Sequence, residues 1–493
     1  MSGGITIGEG EVRSVKIGVV SLGCPKNLVD SEVMLGLAEQ AGHVITPDAT
    51  DADVLVVNTC AFIDRAKQES IDAILEMAEL KKAAQGRRLV VTGCMAERYR
   101  SELQAEIPEI DAVLGTGEVT GLVDLLSPGG DAPLPTAPGV APLRFYRRDE
   151  PAPGTTAPAM PAPATTDAPV FGVDLPTYLY DADTPRRRAT PGHYAYLKIA
   201  EGCDYKCAFC IIPKMRGHYR SRSIDSIVRE ATQLAADGVR ELLLISQDTT
   251  FYGIDRGARG ELPALLRALN AVEGLEWIRM LYLYPTTITD EVIEAVATLD
   301  KVCKYIDLPL QHASDAVLRR MKRPGTRASY ERLLTNIRAR IPGVTLRTTF
   351  ITGFPGETDA DVDVLDDFIR TIGFDHVGVF TYSHEEGTSA HALVDDVPAQ
   401  DKAARQARLM TTQQALVTRR QAERVGDVVT VMVDGPSPEH DWVWRARLEG
   451  QAPEIDPVVY LTEAEPELLV PGRRMPVEIV GADAYDLVGR PVG

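Results

Sequence analysis

Cysteine is scarce in this chain, because its 493 residues include only seven. A secreted protein held together by disulfides has a much larger share of cysteine, so that class is disfavoured. Residues 1–11 lack the basic and then apolar pattern of a signal peptide, and no apolar run approaches the length of a spanning helix. These absences favour a protein of the reducing cytoplasm with no membrane partner, whose few thiols are available for metal ligation.

Basic residues are the second shortage. The chain has 52 Lys and Arg against 71 Asp and Glu, a formal net charge of −19. Residues 425–493 alone contain 13 acidic residues, five Arg and no Lys. Such a surface repels phosphate backbones and suits a basic partner, whereas a barrel that binds tRNA needs a basic working face. The charge therefore disfavours nucleic acid as a direct substrate.

Four segments differ in composition, and together they predict an α/β protein. Strand and helix signals alternate in residues 14–126, which predicts an N-terminal βα domain with a parallel sheet. Residues 127–190 contain 13 of the 33 prolines, which is typical of a linker. Residues 191–424 show six βα units, the pattern of a partial (β/α)6 barrel of TIM type. Residues 425–493 show five short strands, which predict an OB-like barrel.

The expected elements follow apolar runs and their flanking turn residues. In the first segment they are Lys16–Ser21, Ser31–Ala41, Val54–Asn58, Arg65–Ala84 and Leu89–Thr92. The expected barrel strands are Tyr194–Ala200, Glu241–Ser246, Trp277–Tyr282, Tyr305–Leu308, Thr345–Ile351 and His376–Phe380. In the last segment the strands are Val428–Val433, Trp442–Leu448, Val458–Leu461, Val477–Val480 and Tyr485–Val488.

Three of the cysteines, Cys203, Cys207 and Cys210, form a C-x3-C-x2-C string directly after the first barrel strand. We call them the loop triad. Three thiolates on one short loop can hold three irons of a 4Fe–4S cluster and leave the fourth iron open for a ligand. A structural zinc site needs a fourth ligand, and His218 lies outside the usual spacing. A disulfide cluster needs an oxidising compartment, which nothing in the sequence indicates.

Three other cysteines, Cys24, Cys60 and Cys94, each follow a predicted strand of the first segment directly. We call them the strand-end triad. The carboxyl ends of parallel strands meet at one edge of a sheet, so these thiols are expected to converge on a second metal site. The alternative is that each is a buried core thiol. The seventh cysteine, Cys303, has no companion and is expected to be a packing residue.

The loop triad resembles the cluster motif of the radical S-adenosylmethionine (SAM) enzymes, and the two triads with the terminal barrel resemble the methylthiotransferases. The resemblance covers nearly the whole chain apart from the linker and the extreme N-terminus. It implies that the loop triad holds a 4Fe–4S cluster that binds SAM, that the strand-end triad holds an auxiliary 4Fe–4S cluster, and that residues 425–493 are a TRAM domain. No catalytic side chain is assigned beyond the two clusters.

The first cysteine also indicates a branch of that family. Members that modify tRNA adenosines typically carry Gly-Cys-Gln-Met-Asn, whereas this chain has Gly23-Cys24-Pro25-Lys26-Asn27. It thus resembles the RimO type, which methylthiolates the β-carbon of an aspartate on ribosomal protein S12. That resemblance implies S12 as partner, free or in the small subunit, and a low-potential electron donor such as flavodoxin or ferredoxin. The alternatives are a tRNA adenosine methylthiotransferase and a non-catalytic iron–sulfur electron carrier.

Three further strings end predicted barrel strands and carry polar groups: Gln247-Asp248, Leu308–His312 and Thr352–Thr358. Barrel chemistry gathers at strand ends, so each string is a cleft candidate, and the family places SAM contacts near the last of them. The alternative is a turn that closes a βα unit. His312 is expected to be structural rather than a base.

Overall fold

The structure is a computed structural model that describes residues 14–126, 175–439 and 443–492. Most of the predicted linker, residues 127–174, and Trp442, the predicted first residue of a strand, lie outside the described residues. The chain forms two compact units. The first runs to Arg188 and includes Lys214–Gly217, and the second comprises Ala189–Pro213 and the chain from His218. No helix in the described part of the chain has both the length and the apolar character needed to cross a membrane.

A five-stranded parallel sheet forms the centre of the first unit, in the order β2-β1-β3-β4-β5. Its strands are β1 Lys16–Ser21, β2 Val44–Ile45, β3 Val54–Thr59, β4 Arg88–Gly93 and β5 Ala112–Leu114. The helices are α1 Pro25–Gln40, α2 Asp64–Lys82, α3 Cys94–Arg98, α4 Arg100–Glu106 and α5 Gly121–Leu126. All residues of β3 are buried, as expected for a central parallel strand. The predicted parallel sheet is confirmed, while β2 and β5 are too short to show a periodic pattern in the sequence.

The first helix begins six residues earlier than its apolar pattern predicts, at Pro25 rather than Ser31. Pro25 suits the first helical position, because its fixed φ fits the helix and its missing N–H has no partner there in any case. The first two turns contain Lys26, Asn27 and Asp30, which are polar and yet buried. Asn27 and Asp30 both bond to the buried Arg216, so the helix shows no apolar stripe where it starts.

Six parallel strands form the incomplete barrel of the second unit, in two hydrogen-bonded groups, β10-β9-β6 and β11-β12-β13. A bridge between Ile278 and Val302 lies where β10 and β11 meet. These strands are β6 Tyr194–Lys198, β9 Glu241–Ile245, β10 Trp277–Met280, β11 Tyr305–Asp307, β12 Thr345–Thr352 and β13 His376–Thr381. A separate two-stranded sheet contains β7 Ala200–Glu201 and β8 Arg220–Ser221. The helices are α6 Ile212–Arg216, α7 Ile224–Ala236, α8 Glu261–Asn270, α9 Asp290–Thr298, α10 Asp315–Arg320, α11 Arg327–Arg340, α12 Asp359–Ile372 and α13 Ala399–Ala422.

Local sequence explains where several of these elements start. The side chain of Ser223 accepts a hydrogen bond from the backbone of Ser226 and caps α7, and Thr358 with Asp361 forms a capping box on α12. One predicted strand, Tyr194–Ala200, is divided. Its last residues leave the barrel sheet as β7 and pair with β8 in antiparallel fashion.

The C-terminal segment forms a closed five-stranded barrel in the order β14-β15-β16-β18-β17. Its interior is apolar, and residues such as Val431, Val477 and Leu487 have no exposed surface. This confirms the predicted OB-like barrel. The strands are β14 Val428–Pro436, β15 Trp444–Leu448, β16 Val459–Leu461, β17 Arg474–Asp483 and β18 Asp486–Pro491.

Residues 449–456, between β15 and β16, bond to the N-terminal ends of the barrel strands. The carboxylate of Glu454 accepts a hydrogen bond from the Tyr194 hydroxyl at 2.8 Å. Asp456 accepts one from the Tyr305 hydroxyl at 2.6 Å. The C-terminal barrel is therefore attached to the end of the larger barrel that lies opposite the strand ends where barrel chemistry takes place.

A buried ionic network strengthens the same attachment. Glu241, at the start of β9, has no exposed side-chain surface and pairs with Arg279 at 2.8 Å and with Arg447 of β15 at 2.7 Å. Burial favours the protonated acid, yet the charges of Arg447 and Arg279 outweigh it and keep the pKa of Glu241 below its usual range. Glu241 therefore neutralises two guanidinium groups that are away from water.

Glu241→Ala is expected to destabilise the second unit by about 3–5 kcal/mol, because it leaves buried charges without their partner. Chemical denaturation followed by fluorescence measures the change. Glu276→Ala is the matched control, since Glu276 also joins the two barrels, to Arg474 at 3.0 Å, but both side chains are more than two-fifths exposed. The control variant is expected to unfold as the parent does. Equal losses of unfolding free energy in both variants would show that the buried network stabilises the protein no more than an exposed ion pair does.

Candidate functional site

The strand-end triad lies at one edge of the first sheet. Cys24 follows β1, Cys60 follows β3 and Cys94 follows β4. The chain leaves β1 toward β2 and leaves β3 toward β4, on opposite sides, so a crevice opens between the two loops. In open α/β sheets, ligands bind in this crevice. The structure therefore brings the three predicted thiols to the place where the topology favours a ligand.

Two glycines let the cysteine loops approach closely. Gly23 has a φ of +90°, and a Cβ there would lie 2.8 Å from the Cβ of Cys60. Gly93 has a φ of +94°, and a Cβ there would collide with Asn58 Oδ1 and lie 2.6 Å from the carbonyl oxygen of Thr59. Both the backbone conformation and the space exclude larger residues.

Two buried asparagines fix the spacing of the first two cysteine loops. The Asn27 side chain donates to the carbonyl of Leu22 at 3.1 Å and to that of Thr59 at 2.8 Å. Asn58 donates back to the carbonyl of Asn27 at 2.8 Å. The residues just before Cys24 and Cys60 are thereby held to the same helix turn.

A buried arginine, Arg216, is the cation of this site. Its guanidinium pairs with Asp30 at 2.9 Å, bonds to Asn27 Oδ1 and lies 3.6 Å from the Sγ of Cys94. Burial raises the pKa of the Cys94 thiol to about 12, and the charge of Arg216 opposes that rise. Burial also raises the pKa of the Cys60 thiol, to about 11. A metal overcomes such shifts because a coordinating thiol is deprotonated outright.

The loop triad lies on an excursion of the chain that begins at Gly202 and returns at Tyr219, closed at its base by the β7–β8 pair. Gly202 has a φ of +88°, which turns the chain out of β7. The middle of the loop is held by its backbone. The N–H of Ala208 donates to the carbonyl of Met321 at 2.8 Å, and the carbonyl of Ala208 accepts from the N–H of Ala390 at 2.8 Å.

Aromatic stacking supports the same loop. Tyr205, between the first two cysteines, stacks on Tyr284 with a centroid distance of 3.9 Å and an angle of 7°. The Tyr205 hydroxyl donates to the buried carboxylate of Asp248 at 2.9 Å. On the same ring of Tyr284 lies Arg323, at 4.1 Å, and its guanidinium is 3.6 Å from the Sγ of Cys207. Each triad therefore has one buried guanidinium within reach of a thiol.

The chemistry of both triads suits an iron–sulfur cluster, because cysteine thiolates are the ligands that such clusters take. All seven cysteines are free thiols. Among the residues that the structure describes, no group of three or more His, Cys, Asp or Glu side chains is arranged to hold one metal ion. Neighbouring thiols add to the rise in pKa that burial causes, Cys24 and Cys60 for the Cys94 thiol and Cys207 and Cys203 for the Cys210 thiol.

Two of the remaining cleft candidates, the strings that end at His312 and Thr358, contact each other. Glu357 accepts from the N–H of Gly353 at 2.8 Å and the hydroxyl of Thr352 at 2.9 Å, so it shapes the turn after β12. His312 has no exposed surface, and its Nε2 lies 3.2 Å from Glu357 Oε2. Burial opposes ionisation of Glu357, but His312 outweighs it and lowers the Glu357 pKa. The contacts of His312 are those of a structural residue. Cys303 is also buried, just before β11.

Comparison with known proteins identifies the family. Three family models match consecutive parts of the chain: one described as uncharacterized protein family UPF0004 at residues 16–115, the radical SAM superfamily at 197–369 and the TRAM domain at 425–492. A protein of Koribacter versatilis (strain Ellin345) named ribosomal protein uS12 methylthiotransferase RimO is 45% identical, with 98% of this chain and 98% of the relative covered. The chain belongs to this RimO family. A RimO relative from Symbiobacterium thermophilum is 47% identical, with coverages of 97% and 91%.

Solved structures agree on the fold. The radical SAM methyltransferase TsrM from Kitasatospora setae, with cobalamin and a 4Fe–4S cluster bound, has a TM-score of 0.51 at 16% identity, with 75% of this chain and 72% of that chain covered. At that identity the likeness shows the fold alone. The RimO family is a family of radical SAM methylthiotransferases, so the family predicted from the sequence is confirmed.

Several residues of the two sites escape prediction from the sequence. Nothing in the sequence shows that Arg216 contacts Cys94, which lies 122 positions away in the chain. Arg323 and Tyr284 similarly meet Cys207 and Tyr205 only in the fold. Only for Asn27 did the sequence contain an indication of a role in the site, because it is a polar residue three positions after a cysteine at a strand end.

Proposed function

We propose that this chain methylthiolates the β-carbon of an aspartate of ribosomal protein uS12, with SAM and two 4Fe–4S clusters as cofactors. The observation that carries the proposal is similarity along the whole chain: relatives named uS12 methylthiotransferase RimO are 45% and 47% identical over 98% and 97% of it. The two cysteine triads supply the ligands that two such clusters need. The C–H bonds of the aspartate β-carbon are only weakly acidic, so abstraction of a hydrogen atom by a radical suits this reaction.

The proposal assigns one cluster to each unit. Cys203, Cys207 and Cys210 would hold the cluster that binds SAM, and the strand-end triad the auxiliary cluster. Together, SAM and the clusters supply reductive SAM cleavage, hydrogen abstraction by the resulting radical and delivery of a methylthio group. The role of the chain's own residues is to hold the cysteine ligands in place. Backbone bonds at Ala208 and the Tyr205–Tyr284 stack fix one loop, and the two asparagines fix the others.

Surface charge supports a basic protein substrate. Part of the acidity of the C-terminal barrel is used internally, since Asp434 pairs with Arg447 and Asp456 with Arg347. Among the described residues from 425 onward, seven Asp and Glu are nevertheless exposed against three exposed Arg. A cluster of them, Glu463, Glu465 and Glu467, lies after β16. Complementary charge of this kind raises association rates and specificity more than affinity.

The proposal includes a division of labour along the chain. Residues 14–126 form the domain of the auxiliary cluster, 127–190 a linker, 191–424 the radical SAM core and 425–493 the TRAM domain. Electrons come from a low-potential donor such as flavodoxin or ferredoxin. The free state of all seven cysteines suits the reducing cytoplasm as the compartment.

A competition between substrates tests the proposal. Reconstituted enzyme, SAM, a reductant and sulfide are supplied under anaerobic conditions with uS12 and unmodified tRNA together, and mass spectrometry examines both. We expect a methylthio group on an aspartate of uS12 and none on tRNA. The same group on tRNA adenosine would overturn the substrate while leaving both clusters in place. SAM cleavage without a methylthio group on either uS12 or tRNA would contradict both substrate assignments.

A further inference from the structure

Arg216 occupies an unusual position in the chain. It ends α6, six residues after the last cysteine of the loop triad, yet Lys214–Gly217 belong to the first unit. The carbonyl of Met215, the preceding residue, accepts a hydrogen bond from the buried hydroxyl of Thr116. The segment is thus anchored in the first unit, and Arg216 is a component of the strand-end site rather than of the radical SAM core.

The contacts of Arg216 are those of a positioned charge. Only 2% of the residue is exposed. The guanidinium pairs with Asp30 at 2.9 Å, bonds to Asn27 Oδ1 and faces Cys94 Sγ at 3.6 Å. Asp30 and Asn27 both lie on α1, directly after Cys24. The Arg216 guanidinium is therefore held by α1, the helix that follows Cys24, and it donates to the sulfur of Cys94. The planar, always charged fork of arginine suits such a double role.

We propose that Arg216 is a positioning residue that sets the reduction potential of the auxiliary cluster, with Asp30 as its opposing charge. The inference rests on the proposed function, since it takes the strand-end triad as cluster ligands. Reduction adds an electron, so the reduced cluster is the more negative one. A cation bonded to a ligating sulfur in a buried site stabilises that form, and hydrogen bonds and net charge are the main controls of such potentials. The negative charge of Asp30 destabilises the reduced cluster and so lowers the reduction potential.

The directions in which two substitutions shift the reduction potential distinguish this role from a merely structural one. Arg216→Gln removes the cation that faces Cys94, so the auxiliary cluster becomes harder to reduce. Asp30→Asn removes the anion and leaves Arg216 in place, so the cluster becomes easier to reduce. General loosening of the site has no reason to shift the potential in opposite directions. Arg216→Lys keeps the charge and is expected to remain nearer the parent than the glutamine variant.

The measurement is a reductive titration of the reconstituted full-length holoenzyme followed by electron paramagnetic resonance. The signal that is missing from Cys24→Ala identifies the auxiliary cluster. We expect Arg216→Gln to decrease the equilibrium constant of its reduction by about tenfold or more, which is about 59 mV for a one-electron couple. Asp30→Asn is expected to shift it upward. Arg87→Gln is the matched control, because Arg87 bonds to the carbonyls of Thr50, Leu80 and Ala52 at the other edge of the sheet.

The outcomes distinguish two failures. If Cys24→Ala loses no signal, the strand-end triad does not hold a cluster, and both the assignment and the role of Arg216 are overturned. If the signal is assigned but neither Arg216→Gln nor Asp30→Asn moves its potential beyond the Arg87→Gln control, the role of Arg216 alone is overturned. Should Arg216→Gln fail to assemble its cluster, the upward shift in Asp30→Asn decides the question.

Discussion

Cys207→Ala abolishes reductive cleavage of SAM and, with it, methylthiolation. A cluster held by three cysteines has no spare ligand on the protein, so loss of one thiolate releases an iron or the whole cluster. Cys207 is also the thiol that Arg323 approaches at 3.6 Å, and the substitution leaves that buried guanidinium without its sulfur. The readout is 5′-deoxyadenosine formed per enzyme after anaerobic reconstitution, which is expected to fall to the background of enzyme without iron.

Cys303→Ala is the matched control for this prediction. Cys303 is buried and lies just before β11, so the substitution removes a thiol from the same barrel without touching the loop triad. It is expected to cost stability but to keep SAM cleavage. Equal cleavage by Cys207→Ala and Cys303→Ala would show that the loop triad does not hold the cluster that cleaves SAM.

Cys24→Ala has a different expected phenotype, because its cluster belongs to the other unit. SAM cleavage remains measurable, since the loop triad is intact, while the methylthio product on uS12 is lost. Measuring 5′-deoxyadenosine and modified uS12 in the same reaction gives the ratio directly. Full methylthiolating activity in Cys24→Ala would contradict the auxiliary cluster.

Cys60→Ala extends the test within the same triad. Cys60 follows β3, across the crevice from Cys24, and the Cys24 thiol adds to the rise that burial causes in the pKa of Cys60. If all three strand-end cysteines ligate one cluster, Cys60→Ala reproduces the uncoupling of Cys24→Ala. A variant that retains the methylthio product would remove that cysteine from the ligand set.

Much of the fold follows from the sequence because the strands of this protein are buried and apolar. β1 begins and ends where the β-branched run predicts, and each of the six strands of the larger barrel ends within two residues of its predicted end. Short or polar elements are the exceptions. β2 and β5 have two and three residues, and the first turn of α1 is polar because it faces the strand-end site. A periodicity argument detects burial against a core, not burial against a ligand.

The residues of the candidate site likewise fall into those that the sequence predicts and those that it does not. The six cysteines are found from spacing and from the rule that parallel strands end at one edge. Arg216 and Arg323 are not, because each contacts a thiol more than a hundred positions away. The charge argument also changes in the structure, since Asp434 and Asp456 neutralise arginines within the second unit rather than facing solvent as free acids. Such pairings depend on tertiary contacts, which composition does not record.

Counting iron tests the central claim, two clusters on two separate triads, most directly. Anaerobically reconstituted parent enzyme is expected to contain about eight irons and a similar amount of acid-labile sulfide per chain. Replacing all three loop-triad cysteines by alanine, or all three strand-end cysteines, is expected to leave about four in each case. Replacing all six leaves none. If either triple variant retains the iron content of the parent, that triad holds no cluster and the account is wrong.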